Sequence, residues 1–125
     1  MKCLFAFLLV LTLGCASIWQ TDREKALQHI VLCWLKEPGN AVHRNQIIEI
    51  SKTFRNIPGV MEVRVGKVIP SERTIVDDSF DVAILVVVPD GRRLQEYLNH
   101  PLHDQAKQDV LLPLVDKVVV YDFQE

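Results

Sequence analysis

The sequence predicts an α+β domain in which helices cover a four-stranded antiparallel sheet. Segments rich in β-forming or alternating apolar residues occur four times along the chain, and helical patterns separate the first from the second and the third from the fourth. Turns containing Pro or Gly bound most of these segments. The resulting order, β-α-β-β-α-β, is that of a ferredoxin-like fold.

The first strand is predicted over residues 29–36 (HIVLCWLK), which are dense in β-forming side chains and end before a Glu-Pro-Gly-Asn turn. Residues 42–57 predict an amphipathic helix, because apolar side chains recur at spacings of three and four from Ile47 to Ile57. The Pro-Gly pair that follows ends this helix.

The second half of the chain supplies the remaining elements. Residues 60–69 alternate between apolar and charged side chains, which predicts a half-exposed strand. Residues 80–88 contain seven consecutive apolar positions and predict a strand buried on both faces. Helical segments are predicted over 90–99 and 102–111, the second ended by a proline, and a last strand over 117–123.

This pattern has a consequence for assembly. Right-handed crossovers place both helical segments on one face of the sheet, so the other face is bare. Several strands are nonetheless apolar on both faces, and an exposed apolar sheet face of this size is untenable in a monomer. We therefore predict a homodimer in which two sheets pack face to face as an α/β barrel.

Composition limits the classes of function. The chain has 125 residues, 49% of them hydrophobic, which suits one domain and excludes a wholly disordered chain. Its 14 basic and 16 acidic residues give a net charge of −2, so we expect no nucleic-acid partner.

The N-terminus predicts export. Residues 1–14 combine one positive charge with a short apolar run and small residues, as in a signal peptide, and the run is too short for a membrane span. The motif Leu-Thr-Leu-Gly-Cys resembles the lipobox of bacterial lipoproteins, which implies lipidation of Cys15. We expect a membrane-anchored lipoprotein of the cell envelope, facing the periplasm or the exterior. The alternative is cleavage after Ala16, giving a secreted soluble protein.

Processing would leave a lipidated cysteine and spacer over residues 15–28 and a folded domain over residues 29–125. Cys3 is then removed and Cys33 is the one thiol of the domain, so no intramolecular disulfide is expected. Cys33 lies within the first predicted strand and is interpreted as a small buried hydrophobe rather than a reactive thiol.

From residue 29 to the C-terminus the chain resembles the stress-responsive α/β-barrel (Dabb) family. The corner at 57–60 (IPGV) fits, and residues 97–103 (YLNHPLH) match the family's Y-x-x-H-P-x-H motif. The resemblance implies a ferredoxin-like fold and a homodimeric barrel. Function in this family is less uniform, since it includes plant stress-related proteins and a plant polyketide cyclase.

Four residues are candidates for a ligand site: His29, Tyr97, His100 and His103. Histidine exchanges protons near neutral pH, and a neighbouring tyrosine can hydrogen-bond a carbonyl oxygen. The resemblance to the cyclase implies that Tyr97 and His103 form an acid–base pair, in which His103 takes a proton while Tyr97 holds the substrate oxygen.

A structural interpretation of the same residues stays open, because His100 and Pro101 can cap and start a helix. Metal ligation is a further alternative, but spacing identifies no third ligand beyond Asp104. The acidic cluster within 77–81 is interpreted as a solvated turn. We expect neither a metal nor a cofactor.

The first functional interpretation is an exported protein that binds a small apolar or carbonyl ligand or acts in a stress response. The alternatives are an acid–base enzyme acting on a small carbonyl compound through Tyr97 and His103, and a structural dimerisation module. A cavity of a few hundred Å³ favours the first two, and a filled interior favours the third.

Overall fold

Strands and helices follow the predicted β-α-β-β-α-β order in the computed structural model of the chain, which describes residues 25–125. The strands are β1 (Leu27–Leu35), β2 (Glu62–Lys67), β3 (Val82–Val88) and β4 (Val115–Gln124). The helices are α1 (Ala41–Lys52), α2 (Gly91–Leu98), α3 (Pro101–Ala106) and the short α4 (Leu112–Leu114). A 3-10 turn (Thr53–Asn56) follows α1, and a π-helical turn (Lys107–Leu111) joins α3 to α4.

The four strands form one sheet in the order β2-β3-β1-β4, and every neighbouring pair is antiparallel. This topology confirms the predicted ferredoxin-like fold. The two central strands are therefore β3 and β1, while β4 lies at an edge. The pairing of β1 with β4 runs from Leu27 opposite Gln124 to Leu35 opposite Val115, so the two ends of the domain lie side by side.

The core lies between the helices and one face of the sheet. Alternate residues of β1 are buried on this face because successive strand side chains point to opposite sides. Full burial of an aliphatic or aromatic side chain contributes about 1.5–3 kcal/mol. The buried helical partners in this core are Ile47, Phe54, Leu94 and Tyr97.

The second face of the sheet stays partly exposed. Leu32 lies opposite Val119 on this face, and Tyr121 and Phe123 of β4 are 58% and 49% exposed. The prediction that β3 is buried on both faces holds only in part for a single chain, because Leu85 on this side is half-buried. The apolar character of the face agrees with the sequence pattern from which assembly is predicted.

The first helix is shorter than predicted. Asn40 caps α1 by accepting hydrogen bonds from the backbone N–H groups of Val42 and His43, and the α-helix ends at Lys52 rather than at Ile57. The predicted last turn is present as the 3-10 turn. It still buries Phe54 and thereby keeps the apolar face that the periodicity indicated.

The helical segment before β4 is longer than predicted and less regular. It begins at Pro101, widens to a π-helical turn at Lys107, and continues through Pro113 to Leu114, although the sequence predicts its end at this proline. The backbone N–H of Leu112 donates to the carbonyl of Lys107, five residues back, and Pro113 has no N–H that would need an acceptor at this point.

Candidate functional site

A cavity of about 380 Å³ lies on the helical side of the sheet, between the β1–β4 pair and the segment from α2 to α4. Its wall is mainly aliphatic. Val31, Val115, Val118 and Val120 contribute from the strands, and Leu98, Leu111 and Leu112 contribute from the helical side. The polar lining residues are His29, His103, Lys107, Asp116 and Lys117. Apolar walls with a few polar groups are typical of small-molecule sites.

His29 enters the cavity from β1. Its side chain is on the buried face of the strand, with 5% of the residue exposed, and Asp122 of β4 lies directly opposite in the sheet. The Nδ1 atom of His29 is 2.6 Å from Oδ1 of Asp122. A carboxylate only accepts, so Nδ1 carries the donated hydrogen, and Nε2 is the acceptor nitrogen of this tautomer.

His103 faces the same cavity from α3. Its Nδ1 is 3.1 Å from the carbonyl oxygen of Leu98, which can only accept, so Nδ1 is again the donor and Nε2 the free acceptor. Burial lowers the pKa of His103 below its ordinary value of 6.5, and the nearby charge of Lys107 acts in the same direction. The imidazole is therefore neutral near pH 7.

Tyr97 packs against both imidazoles. Its ring centroid is 5.8 Å from that of His29 and 4.8 Å from that of His103, and Phe54 is 5.7 Å away on a third side. Tyr97 is 2% exposed, and burial raises the pKa of its hydroxyl well above 10, which keeps the phenol neutral. It is not among the residues that line the cavity, so the structure places it as a support for the two histidines.

The fourth predicted ligand residue lies elsewhere. His100 is the N-cap of α3, where its Nδ1 accepts a hydrogen bond from the backbone N–H of Leu102 at 3.2 Å, and Pro101 follows in the first turn. This is the structural role that the sequence left open for it. The structure thus brings His29, Tyr97 and His103 together and places His100 outside the cavity lining.

Four polar residues at the site were not identified from the sequence, namely Lys107, Asp116, Lys117 and Asp122. Asp122 meets His29 across 93 positions of sequence, and only the register of the sheet reveals that pairing. Lys107 lies one helical turn after His103, a spacing that could have identified it once the helix was predicted. Asp104, the nearest candidate for a third metal ligand, instead forms an ion pair with Lys107 at 3.0 Å.

Other titratable groups serve the fold. Between residues 25 and 125, no group of three or more His, Cys, Asp or Glu side chains is placed to hold a metal ion. Asp81 accepts hydrogen bonds from the backbone N–H groups of Leu35 and Gly39, at 2.9 and 2.8 Å, and so fastens the turn after β1. Cys33 is buried as predicted, and burial raises the pKa of its thiol to about 11.

The predicted lipidation residue, Cys15, and the predicted signal peptide lie outside the described residues. Within residues 25–125 no helix combines the length and apolar character needed to cross a bilayer.

The solved structures that resemble the chain in fold include the following three. A ferredoxin-like Dabb family protein from Mesorhizobium loti is 19% identical with a TM-score of 0.65, and the match covers 79% of this chain and 95% of the M. loti chain. A dimeric protein of unknown function from Bacteroides fragilis is 19% identical with a TM-score of 0.66, covering 80% and 96%. Hydroxynitrile lyase from Passiflora edulis is 19% identical with a TM-score of 0.69, covering 82% and 94%. No curated protein sequence matches the chain.

Fold and cavity together define a ferredoxin-like α+β domain with a histidine-lined apolar pocket beside its edge strand. The model of the Stress responsive A/B Barrel Domain (Dabb) matches residues 27–125, beginning where β1 begins. The chain belongs to the Dabb family, as the resemblance of its sequence predicted.

Proposed function

We propose that this protein binds a small, mainly apolar molecule that carries a hydrogen-bonding oxygen. The cavity is the observation that supports this proposal, since about 380 Å³ with an aliphatic wall is within the range of small-molecule sites. The two Nε2 atoms of His29 and His103 would accept hydrogen bonds from such a ligand. A purely structural dimerisation module would have no need of this space.

The uncharged fluorophore N-phenyl-1-naphthylamine tests the proposal. We expect its fluorescence to rise on binding, and Val120→Trp to weaken its affinity by at least about tenfold because the indole would fill the cavity. Val42→Trp is the matched control, since Val42 is 67% exposed on α1. If Val120→Trp binds the probe as tightly as the unmodified protein, the cavity is not the site.

A second candidate is acid–base catalysis on a small carbonyl compound at the same site. Neutral His103 with a free Nε2 is suited to take a proton, and Asp122 would hold His29 ready as a second proton-exchanging group. In this role Tyr97 would position both imidazoles. That one protein of similar fold is a hydroxynitrile lyase agrees with such chemistry on this scaffold.

This candidate is tested by deuterium exchange from D₂O into the carbon beside the carbonyl of a small ketone, followed by NMR. We expect catalysed exchange by the unmodified protein, and a loss of at least about 100-fold in His103→Ala because the base is removed. Absence of exchange above buffer, or full activity in His103→Ala together with Tyr97→Phe, would reject it.

The protein is also proposed to be a homodimer that packs the partly exposed sheet faces together. The apolar residues Leu32, Tyr121 and Phe123 on that face support this, and the similar B. fragilis protein is described as dimeric. Light scattering at micromolar concentration should give twice the chain mass, and Leu32→Arg should give one chain mass. A monomer in the unmodified protein would contradict the proposal.

Export and lipid anchoring are proposed from the N-terminal residues. The apolar run and the Leu-Thr-Leu-Gly-Cys motif support lipidation of Cys15 and a location in the cell envelope. Cys15→Ser should abolish both fatty-acid labelling and membrane association. Persistence of either would count against lipidation at Cys15, and absence of labelling in the unmodified protein would favour cleavage after Ala16.

A further inference from the structure

The cavity extends along β4, and charged residues lie at several points of its lining. Its lining follows β4 from Val115 to Val120 and includes His29 and Val31 of the neighbouring strand β1. At a rise of about 3.3 Å per residue, the five steps from Val115 to Val120 correspond to roughly 16 Å. Val118 and Val120 give this strand side of the cavity an apolar surface, and the polar lining residues on the helical side are His103 and Lys107.

The histidine end carries the ammonium group of Lys107. This lysine follows His103 by one helical turn, lines the cavity, and lies near enough for its charge to act on the imidazole. Its ion pair with Asp104, at 3.0 Å, joins two side chains that are each about half exposed, so this contact is weak and exchangeable. The second lysine of the lining, Lys117, is engaged 4.4 Å from the ring of Trp34.

We propose that the ligand is an amphipathic anion, an unbranched aliphatic chain ending in a carboxylate, with its head beside Lys107 and His103 and its chain along Val118 and Val120 towards Asp116. This inference rests on the proposed binding function and specifies the ligand class. The expected ligand thus combines one negative charge with a narrow apolar chain.

The charges around the cavity favour that orientation. A carboxylate at the histidine end meets an ammonium group and the imidazole of His103, which would gain a proton beside an anion and donate from Nε2. The opposite orientation would bring the carboxylate to Asp116. Asp122 is also negatively charged, but it does not line the cavity, and its Oδ1 is in contact with Nδ1 of His29.

An amine or an alcohol of the same length fits less well. An alkylammonium head would face the like charge of Lys107, whereas Asp104 does not line the cavity. An alcohol could hydrogen-bond an imidazole but would gain nothing from the ammonium charge. The apolar floor treats all three chains alike, so the head group alone should determine their relative affinities.

The test compares decanoate, decanol and decylamine as competitors of N-phenyl-1-naphthylamine near neutral pH and at low salt. We expect decanoate to bind at least about tenfold more tightly than the other two, the range of one charge-assisted contact. Lys107→Gln should bring decanoate to within about threefold of decanol while leaving decanol unchanged, since only the charge is lost.

Two variants serve as controls. Lys52→Gln removes a lysine in a similar i,i+3 pair, with Glu49 on α1 away from the cavity lining, and should change no affinity. Asp104→Asn frees the Lys107 ammonium group and should leave decanoate binding at least as tight as before.

The outcomes separate this inference from the proposed function. If the fluorophore binds but decanoate shows no advantage over decanol and decylamine, the inference is overturned and the binding function stands. The inference is also overturned if Lys107→Gln keeps the full preference for decanoate. If neither the fluorophore nor any of the three chains binds, the proposed function itself fails and the inference falls with it.

Discussion

Replacing Tyr97 by phenylalanine and by alanine separates what its ring does from what its hydroxyl does. The ring is 2% exposed and contacts Phe54, His29 and His103 at centroid distances of 4.8–5.8 Å. Burial raises the pKa of the hydroxyl, and none of the hydrogen bonds among residues 25–125 involves it.

These contacts give the expected magnitudes. Removing a buried aromatic ring costs about 3–5 kcal/mol of the free energy of unfolding, and each tilted or edge-on aromatic contact accounts for about 0.5–1.5 kcal/mol. Tyr97→Ala should therefore fall in the upper part of that range. Tyr97→Phe keeps every ring contact and should change the free energy of unfolding by less than about 1 kcal/mol.

Urea unfolding followed by circular dichroism measures both changes, and fluorophore binding by Tyr97→Phe provides the functional readout. We expect Tyr97→Phe to bind the fluorophore as the unmodified protein does, because the two lining imidazoles keep their support. A loss above about 2 kcal/mol in Tyr97→Phe would mean that the hydroxyl has a buried partner. A loss below about 1.5 kcal/mol in Tyr97→Ala would refute the supporting role of the ring.

Three further predictions concern stability. Because the folded pKa of His103 lies below its ordinary 6.5, the unfolded chain binds this proton more readily, so stability is complete above that pH and falls below it. The free energy of unfolding of His103→Gln, measured with urea, should therefore change less between about pH 7.5 and 5.5 than that of the unmodified protein. An equal change in the two proteins would contradict this. Asp81→Ala leaves two backbone N–H groups without their acceptor and should cost about 2–5 kcal/mol by urea unfolding, whereas the exposed Asp78→Ala should cost less than about 1 kcal/mol; equal costs would argue against the Asp81 contacts. Gly59 has a φ of +87°, and a Cβ there would lie 2.8 Å from Cδ of Arg93, so Gly59→Ala should lower the thermal midpoint by an amount equivalent to about 1–2 kcal/mol. An unchanged midpoint would refute that strain.

Local sequence is a good guide wherever local chemistry decides structure. The N-cap role of His100 could be anticipated, because a side-chain acceptor followed by proline favours a helix start. The predicted end of α1 is wrong since periodicity describes an apolar face and is equally satisfied by a 3-10 turn that buries Phe54. The predicted helix end at Pro113 is wrong as well, because the π-helical turn before it removes the usual conflict between proline and a helix.

The candidate site could be predicted only in part, for a different physical reason. His29 and His103 could be selected by residue type, and both line the cavity. The partner of His29 could not, because Asp122 becomes its neighbour only through the β1–β4 register. Tyr97 was selected as a ligand contact from a sequence motif. A motif does not show whether a side chain lines a cavity or packs behind the residues that line it.

The sequence by itself determined the order of strands and helices, the family and the apolar character of both sheet faces, because these follow from periodicity, turn residues and motif. Only the tertiary structure decided that Asp122 orients His29, that Lys107 shares a cavity with His103, and that this cavity runs along β4. Such features depend on residues distant in sequence and on how completely side chains fill the volume between sheet and helices, and no local pattern encodes that volume.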